Sequence, residues 1–165
     1  MSELPGWLKH ATVWGLLAVG LFLGVQAWQR QQAATRVVAT GGVVEIRRGS
    51  DGHYHWPGTV DGRPVDFLVD TGATRSALPA AMARELGLPV IGEQTSSTAG
   101  GMVQAQVVTG DLVLQGGLRV QALRFGALPG LDKPLLGMDV LGRLRWQQAG
   151  GVLRVELGGA GSRPQ

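Results

Sequence analysis

The stretch that decides the fold is Phe67-Leu68-Val69-Asp70-Thr71-Gly72-Ala73. Its three apolar residues predict a buried strand, which ends in an acid followed by small residues. A carboxylate on such a turn can be held close to backbone amides, and Gly72 lets neighbouring groups approach closely. The stretch therefore has the composition of a catalytic turn. It also fits an ordinary turn at the end of a strand, where Asp and Gly are common.

A second segment, Leu135-Leu136-Gly137, lies far downstream in the chain. It predicts a short apolar strand that passes behind the acid turn, because a glycine permits close approach of two backbones. Asp139 follows this segment, and we interpret it as the cap of a short helix that continues to Leu144. The alternative is that Asp139 is a second acid of the same site.

The rest of the pattern predicts an all-β domain with tight turns, in keeping with its 27 glycines. Asp61-Gly62 suits a two-residue hairpin turn between two strands. A short helix is expected over 79–86, because Pro79 suits its first turn and Gly87 its end. The predicted strands cover residues 53–60, 63–69, 103–108, 111–114 and 118–125, and a closing hairpin covers 145–148 and 152–157.

An uncharged run extends from Ala11 to Trp28. Its length and its terminal tryptophans predict a transmembrane anchor over residues 11–28. A cleaved signal peptide ending near Val25-Gln26-Ala27 and a buried core helix are the alternatives. The predicted organisation is then an N-terminal flank at 1–10, the anchor at 11–28, a linker at 29–42, a folded domain at 43–157 and a disordered tail at 158–165.

Composition argues against several classes of site. The net charge is +3, and the basic residues are scattered rather than arranged in a stripe, so no nucleic-acid partner is expected. The absence of cysteine excludes disulfides, zinc–thiolate sites and a cysteine nucleophile. His53 and His55 are spaced as metal ligands can be, but no third ligand is evident, and an exposed strand edge is the preferred interpretation.

The chain resembles the retropepsin-like aspartic proteases, and specifically the bacterial membrane-anchored family of clan AA. The resemblance covers roughly residues 43–157, and its matching stretches are Phe-Leu-Val-Asp-Thr-Gly-Ala-Thr at 67–74, Leu-Pro at 78–79, Ala-Arg-Glu-Leu-Gly-Leu at 83–88 and Leu-Leu-Gly-Met-Asp-Val-Leu at 135–141. It implies a single-lobe closed β barrel of the retroviral protease type with one or two short helices. By this motif match Asp70 is the catalytic aspartate, Thr71 and Gly72 complete the active-site triplet, and Leu135, Leu136 and Gly137 form the supporting strand.

The resemblance also implies a β-hairpin flap over the substrate. The segment Ser96–Met102 is the best match, because it is rich in small residues and lies between apolar segments. An ordinary flexible loop is the alternative. The residues expected to contact substrate are Ala73 on the turn and Ala99, Gly100, Gly101 and Met102 on the hairpin.

Together these features predict an aspartic endopeptidase that acts as a homodimer on a peptide or protein substrate. Aspartic proteolysis uses two carboxylates, and this chain has one Asp-Thr-Gly and is too short for two lobes. No metal or organic cofactor is expected, and the N-terminal helix would contact the lipid bilayer of a bacterial inner membrane, with the protease domain on the periplasmic side. The alternative is a catalytically silent dimerisation or peptide-binding module on the same fold. Arg75 is expected to be either a dimer-interface ion-pair partner or a simple surface charge.

Overall fold

The structure is a computed structural model that describes residues 14–24, 37–98 and 101–157. The chain divides into two units, Met1–Thr35 and Arg36–Gln165. In the first unit, helix α1 covers residues 14–24. Within the described ranges, no helix has the length and apolar character that a membrane span requires. The predicted anchor at 11–28 begins before α1 and ends after it, and these outer residues lie outside the described ranges. The predicted flank at 1–10 and tail at 158–165 also lie outside them.

The described part of the second unit is built almost entirely of strands, so the predicted all-β class is confirmed. Its two helices are short, α2 (Ala80–Glu85) and α3 (Met138–Leu141). The strands are β1 (Val37–Thr40), β2 (Val43–Arg47), β3 (His55–Val60), β4 (Arg63–Val69), β5 (Ala77–Pro79), β6 (Val90–Thr98), β7 (Gly101–Leu114), β8 (Arg119–Leu128), β9 (Leu135–Leu136), β10 (Arg145–Ala149) and β11 (Val152–Glu156).

The strands form two sheets, one of which closes on itself. The larger sheet has the order β3-β4-β9-β5-β8-β7-β6, and β3 also pairs with β7. This seam runs from Gly58↔Leu114 to Val60↔Leu112 and closes six strands into a ring, with β6 outside it. A Cβ at Gly58 would lie 2.5 Å from the Val113 carbonyl oxygen, so the seam requires glycine there. The smaller sheet has the order β1-β2-β11-β10. The predicted closed β fold is thus confirmed.

The hairpin that leads into the acid turn is confirmed, except that its first strand begins at His55 and not at residue 53. Strands β3 and β4 pair from His55↔Leu68 to Val60↔Arg63. Asp61 and Gly62 connect them with φ angles of 48° and 77°, the left-handed values of a two-residue hairpin turn. Because side chains alternate along a strand, this pairing directs Trp56 and Phe67 into the core.

Several elements differ from the sequence-based expectations, and strands β2 and β6 were not predicted. Strand β1 lies within the predicted linker 29–42, because Val37 is buried and the strand pairs with β2. The two strands predicted at 103–108 and 111–114 are one strand, β7, whose pairing with β8 shifts register between Gly110 and Leu112. Strand β5 was not predicted, since it is three residues long and its partners come from distant segments.

The core is centred on large side chains from the ring strands. Trp56, Phe67 and Phe125 are fully buried. The rings of Phe67 and Phe125 stack with their centroids 6.2 Å apart, and the Trp56 indole N–H donates to the Gln115 carbonyl at 2.8 Å. These contacts place an aromatic layer directly beneath β4, the strand that carries the acid turn.

We expect Phe67→Ala to lower the free energy of unfolding by about 3–5 kcal/mol, because it removes a stacked ring and leaves a cavity. Val90→Ala is the matched control, since Val90 is an apolar strand residue that is about half exposed. Urea denaturation followed by tryptophan fluorescence measures both. Equal losses in the two variants would contradict the assignment of Phe67 to the core.

Candidate active site

The acid turn follows β4 directly. Asp70 is half-buried. Its carboxylate Oδ1 accepts a hydrogen bond from the Gly72 backbone N–H at 2.9 Å, and its carbonyl oxygen accepts from the Ala73 N–H at 3.3 Å. The turn therefore orients the carboxylate through its own backbone amides. The Thr71 side chain is exposed, so it is free to reach a neighbouring molecule.

Strand β9 lies beside the acid turn. It runs parallel to β4, with Leu68 opposite Leu135 and Val69 opposite Leu136. The Asp70 N–H donates to the Leu136 carbonyl at 3.0 Å. Backbone pairing thus continues up to the acid itself, which limits the freedom of its main chain.

Gly137 lies where two backbones are in contact. A Cβ at this position would be 2.5 Å from the Arg75 carbonyl carbon and 2.8 Å from the Ser76 nitrogen. Real side chains do not tolerate such distances to backbone atoms, so only glycine fits here. Gly137 therefore approaches the backbone of Arg75 and Ser76, which leave the acid turn, whereas the sequence predicted an approach to the turn itself.

A buried network ties the same two segments together. Ser76 is fully buried; its hydroxyl donates to Asp139 Oδ1 at 2.8 Å and accepts from the Gly137 N–H at 3.0 Å. The Ser76 N–H also donates to Asp139 Oδ1, at 3.0 Å. The buried Ser76 hydroxyl and N–H and the Gly137 N–H are all paired, as buried polar groups require.

The interpretation of Asp139 as a helix cap is wrong. Helix α3 begins at Met138 with Gly137 as its N-cap, and it ends at Leu141, before the predicted limit of Leu144. Asp139 lies in the first turn, and its carboxylate binds Ser76 across the sheet. A carboxylate in the first turn of a helix is locally plausible as a cap, which is why the sequence alone suggested the wrong partner.

Helix α3 also holds the turn through its first amides. The Met138 N–H donates to the Ala73 carbonyl at 2.8 Å, and the Asp139 N–H donates to the Thr74 carbonyl at 3.1 Å. Amides at the start of a helix lack intrahelical partners, so they are available for this purpose. The loop after Asp70 is therefore held through hydrogen bonds at Gly72, Ala73 and Thr74.

The predicted flap segment is part of a long hairpin. Strands β6 and β7 pair out to Thr98↔Gly101. Met102 is 70% exposed, whereas Ala99 and Gly100 lie outside the described residues. Near the base of the hairpin, the Arg75 guanidinium donates to the Gln94 side-chain carbonyl oxygen at 3.4 Å. This contact links the loop after Asp70 to the first strand of the hairpin, and Arg75 has no ion-pair partner among the described residues of its own chain.

A second cluster braces the loop that precedes β3. His55 Nε2 lies 2.8 Å from Asp51 Oδ2, and His55 Nδ1 lies 3.2 Å from Asp66 Oδ2. Lys133 Nζ also approaches Asp51, at 3.4 Å. The His55 side chain is only 12% exposed, so the prediction of an exposed strand edge is wrong for this residue. His53 remains largely exposed. Asp66 is exposed, as expected from the alternation of inward and outward side chains along β4.

This loop contacts the strand that ends at the acid. The Val69 N–H donates to the Tyr54 carbonyl at 2.9 Å. The hydrogen bond from the His55 side chain, followed by that from the His53 backbone N–H, holds the pKa of Asp51 well below its ordinary value. A lowered pKa in the folded state means that ionised Asp51 stabilises the fold.

Gly137→Ala is expected to cost about 1–3 kcal/mol of stability, because the added methyl must displace backbone rather than a side chain. Gly92→Ala is the matched control, since a Cβ at Gly92 meets nothing within 4 Å. Chemical denaturation measures both variants. If Gly137→Ala were as stable as Gly92→Ala, the close approach would be absent in solution.

Asp51→Asn is expected to lower stability at about pH 6, with the deficit shrinking towards about pH 3. The sign follows from the lowered pKa: the contribution of Asp51 is present above its ordinary pKa of 3.8 and is lost as the carboxylate becomes protonated. Urea midpoints at the two pH values measure the effect. Asp132→Asn is the control, because Asp132 is exposed. A deficit that is independent of pH would contradict the ionic origin.

The sequence-based hypothesis assigned Asp70, its turn and β9 to the site, but it did not anticipate the contacts of Ser76, Asp139 and His55. The partners of Ser76 are more than 60 residues away along the chain. No local pattern marks such a pair. The only available signal was the apolar surroundings of Ser76, next to Ala77 and Leu78, which suggest a buried and therefore partnered hydroxyl.

Comparison with known proteins is consistent with this geometry. A family model described as "gag-polyprotein putative aspartyl protease" matches residues 56–143, more than half of the chain. An uncharacterized protein in the cobV 5' region of a Sinorhizobium species is 34% identical over 110 residues. That match takes in 64% of this chain but 47% of the relative, so the chain spans about half the length of that curated protein.

Two solved structures resemble the described fold. A retropepsin-like aspartic protease from Rickettsia conorii superposes with a TM-score of 0.57 and 27% identity, covering 69% of this chain and 90% of that one. An EIAV protease in complex with an inhibitor superposes with a TM-score of 0.52 and 19% identity, covering 59% of this chain and 93% of that one. At the latter identity the likeness concerns the fold alone.

Proposed function

Because this chain belongs to the retropepsin-like gag-polyprotein aspartyl protease family, we propose that it is an aspartic endopeptidase with Asp70 as its catalytic acid. The observation that carries the proposal is the way Asp70 is held. Its N–H is paired with β9, its carboxylate accepts from Gly72, and α3 fixes the two carbonyls that follow the turn. A half-buried carboxylate on so constrained a turn is preorganised for chemistry.

The proposed active unit is a symmetric pair of chains. Hydrolysis needs two carboxylates that share one proton, because like charges about 3 Å apart cannot both ionise. Asp139, the other acid weighed for the site, is engaged with Ser76. A second copy of the chain supplies the missing carboxylate when a twofold axis brings the two Asp70 side chains together. In this arrangement the exposed Thr71 hydroxyls are available for contacts across the axis.

The proposed reaction follows from the shared proton. The ionised carboxylate takes a proton from water, and the hydroxide adds to the scissile carbonyl carbon. The protonated carboxyl group gives its proton to the carbonyl oxygen as the tetrahedral intermediate forms. Collapse of the intermediate breaks the C–N bond and transfers a proton to the leaving amine.

The hairpin of β6 and β7 is proposed to cover the peptide. Ala73 on the turn, together with Ala99, Gly100, Gly101 and Met102 at the end of the hairpin, would contact it. The support is the long pairing of the two strands and the exposure of Met102. Closure of such a hairpin excludes water from the reacting bond.

The N-terminal run suggests where the protein lies in the cell. The uncharged run from Ala11 to Trp28 is proposed to anchor the chain in a bacterial inner membrane, with the protease domain on the periplasmic side. Anchoring would raise the local concentration of chains and so favour pairing.

Asp70→Asn should reduce cleavage of a peptide library at least about a thousandfold across acidic to neutral pH, because the amide cannot take a proton from water. Asp132→Asn serves as the control, since it removes an exposed carboxylate outside the site. Sedimentation should show that both variants keep the oligomeric state of the wild type. Unchanged cleavage by Asp70→Asn would rule out the mechanism, and no cleavage by the wild type would favour the silent binding module.

The same variant tests the shared site. An excess of Asp70→Asn chain mixed with wild type should suppress cleavage, because mixed pairs hold only one carboxylate. If cleavage instead stayed proportional to the amount of wild-type chain, each chain would carry a complete site of its own, and the dimeric mechanism would be wrong.

A further inference from the structure

A cavity of about 290 Å³ lies beside the loop that follows Asp70. Its walls come from this loop, from β8, from α3 and from Arg143, two residues after the end of α3. The charged side chains that line it are Arg75, Arg124, Arg143 and Asp139. The volume is at the lower limit of small-ligand sites, which run from about 300 to 1,000 Å³, so the cavity suits one side chain or a small anion.

The charges around this cavity are unbalanced. Three arginines line it, against the single carboxylate of Asp139. That carboxylate already accepts hydrogen bonds through Oδ1 from the Ser76 hydroxyl and from two backbone amides. Among the residues that the structure describes, none of the ion pairs includes any of the three arginines. The cavity therefore has an excess of positive charge that forms no ion pair within the described part of the chain.

One wall of the cavity has a fixed and unusual backbone. Ala122 has a φ of 47°, a left-handed value that is uncommon for a residue with a side chain. The Ala122 N–H donates to Asp111 Oδ1 at 2.8 Å, which holds this conformation. The distortion lies next to the register shift between β7 and β8, where a bulge redirects side chains.

The cavity shares its elements with the proposed active site. Arg75 lies five residues after Asp70 in the same fixed loop, and its guanidinium also reaches Gln94 on the hairpin. Asp139 belongs to the network that holds Ser76. The cavity thus shares Arg75 and Asp139 with the segments that hold the acid turn, and Arg75 links it to the hairpin.

We infer that this cavity is a subsite for a carboxylate side chain of the peptide, so that the protein selects substrates with a Glu or Asp displaced from the scissile bond. The inference rests on the proposed function, since it takes a peptide as the ligand. Guanidinium groups present donors in a planar fork that matches a carboxylate. A free oxyanion such as inorganic phosphate would bind guanidinium groups in the same way, so the test must distinguish a peptide carboxylate from a free anion.

The test measures binding without cleavage. Full-length chain with Asp70→Asn is titrated with fluorescent peptides that carry Glu or Gln at each position in turn, and anisotropy gives the Kd. At one position the Glu peptide should bind at least tenfold more tightly than its Gln partner. Adding Arg75→Gln or Arg143→Gln should abolish this difference and leave the Gln peptide unaffected, whereas Arg143→Lys should retain part of it.

Arg119→Gln is the matched control, because Arg119 lies on β8 but outside the cavity, and the Glu preference should survive in it. Equal binding of Glu and Gln peptides at every position would overturn the inference. It would also be overturned if inorganic phosphate bound with the same dependence on Arg75 and Arg143 while the peptides showed no preference. Cleavage by the wild-type chain is assayed separately, so a Glu preference without cleavage would count against the protease and not against the subsite.

Discussion

The site depends on the contact between two backbones at Gly137. On one side is the segment that leaves the acid turn, at Arg75 and Ser76, and on the other is the start of α3. Because no side chain intervenes, the Ser76 hydroxyl can accept from the Gly137 N–H while it donates to Asp139. The same approach brings the first amides of α3 to the carbonyls of Ala73 and Thr74. The position of Asp70 is therefore determined by main-chain geometry more than by side-chain packing around it.

Much of this arrangement was predictable from local sequence. The β3–β4 hairpin follows from alternation and from Asp61-Gly62, and α2 follows from Pro79 and Gly87, which has a φ of 69°. The pairing of β9 beside the acid turn was predictable because an apolar pair followed by glycine suits a strand in close contact with another. In each case the information lies within a few consecutive residues, where backbone preference and periodicity act.

What could not be predicted is the set of pairings that depends on tertiary structure. Ser76 and Asp139 are 63 residues apart, and neither residue type identifies its partner. His55 looked like an exposed residue of an edge strand, yet Asp51 and Asp66 approach it from a loop and from the neighbouring strand. Strand β5 has only three residues, so it exists because β8 and β9 lie on either side of it. Charged and polar pairs across a sheet become visible only when the sheet order is known.

Strand β7 gives the fold an uneven tolerance to changes in chain length. Over its 14 residues it forms one side of the hairpin, pairs with β8 and closes the ring against β3. An inserted or deleted residue inside β7 would invert the inward and outward faces of everything beyond it. The seam at Gly58 would then meet the wrong neighbours. A change in the number of residues is therefore less disruptive in the loop between β8 and β9 than inside β7, whose length is constrained by both of its ends at once.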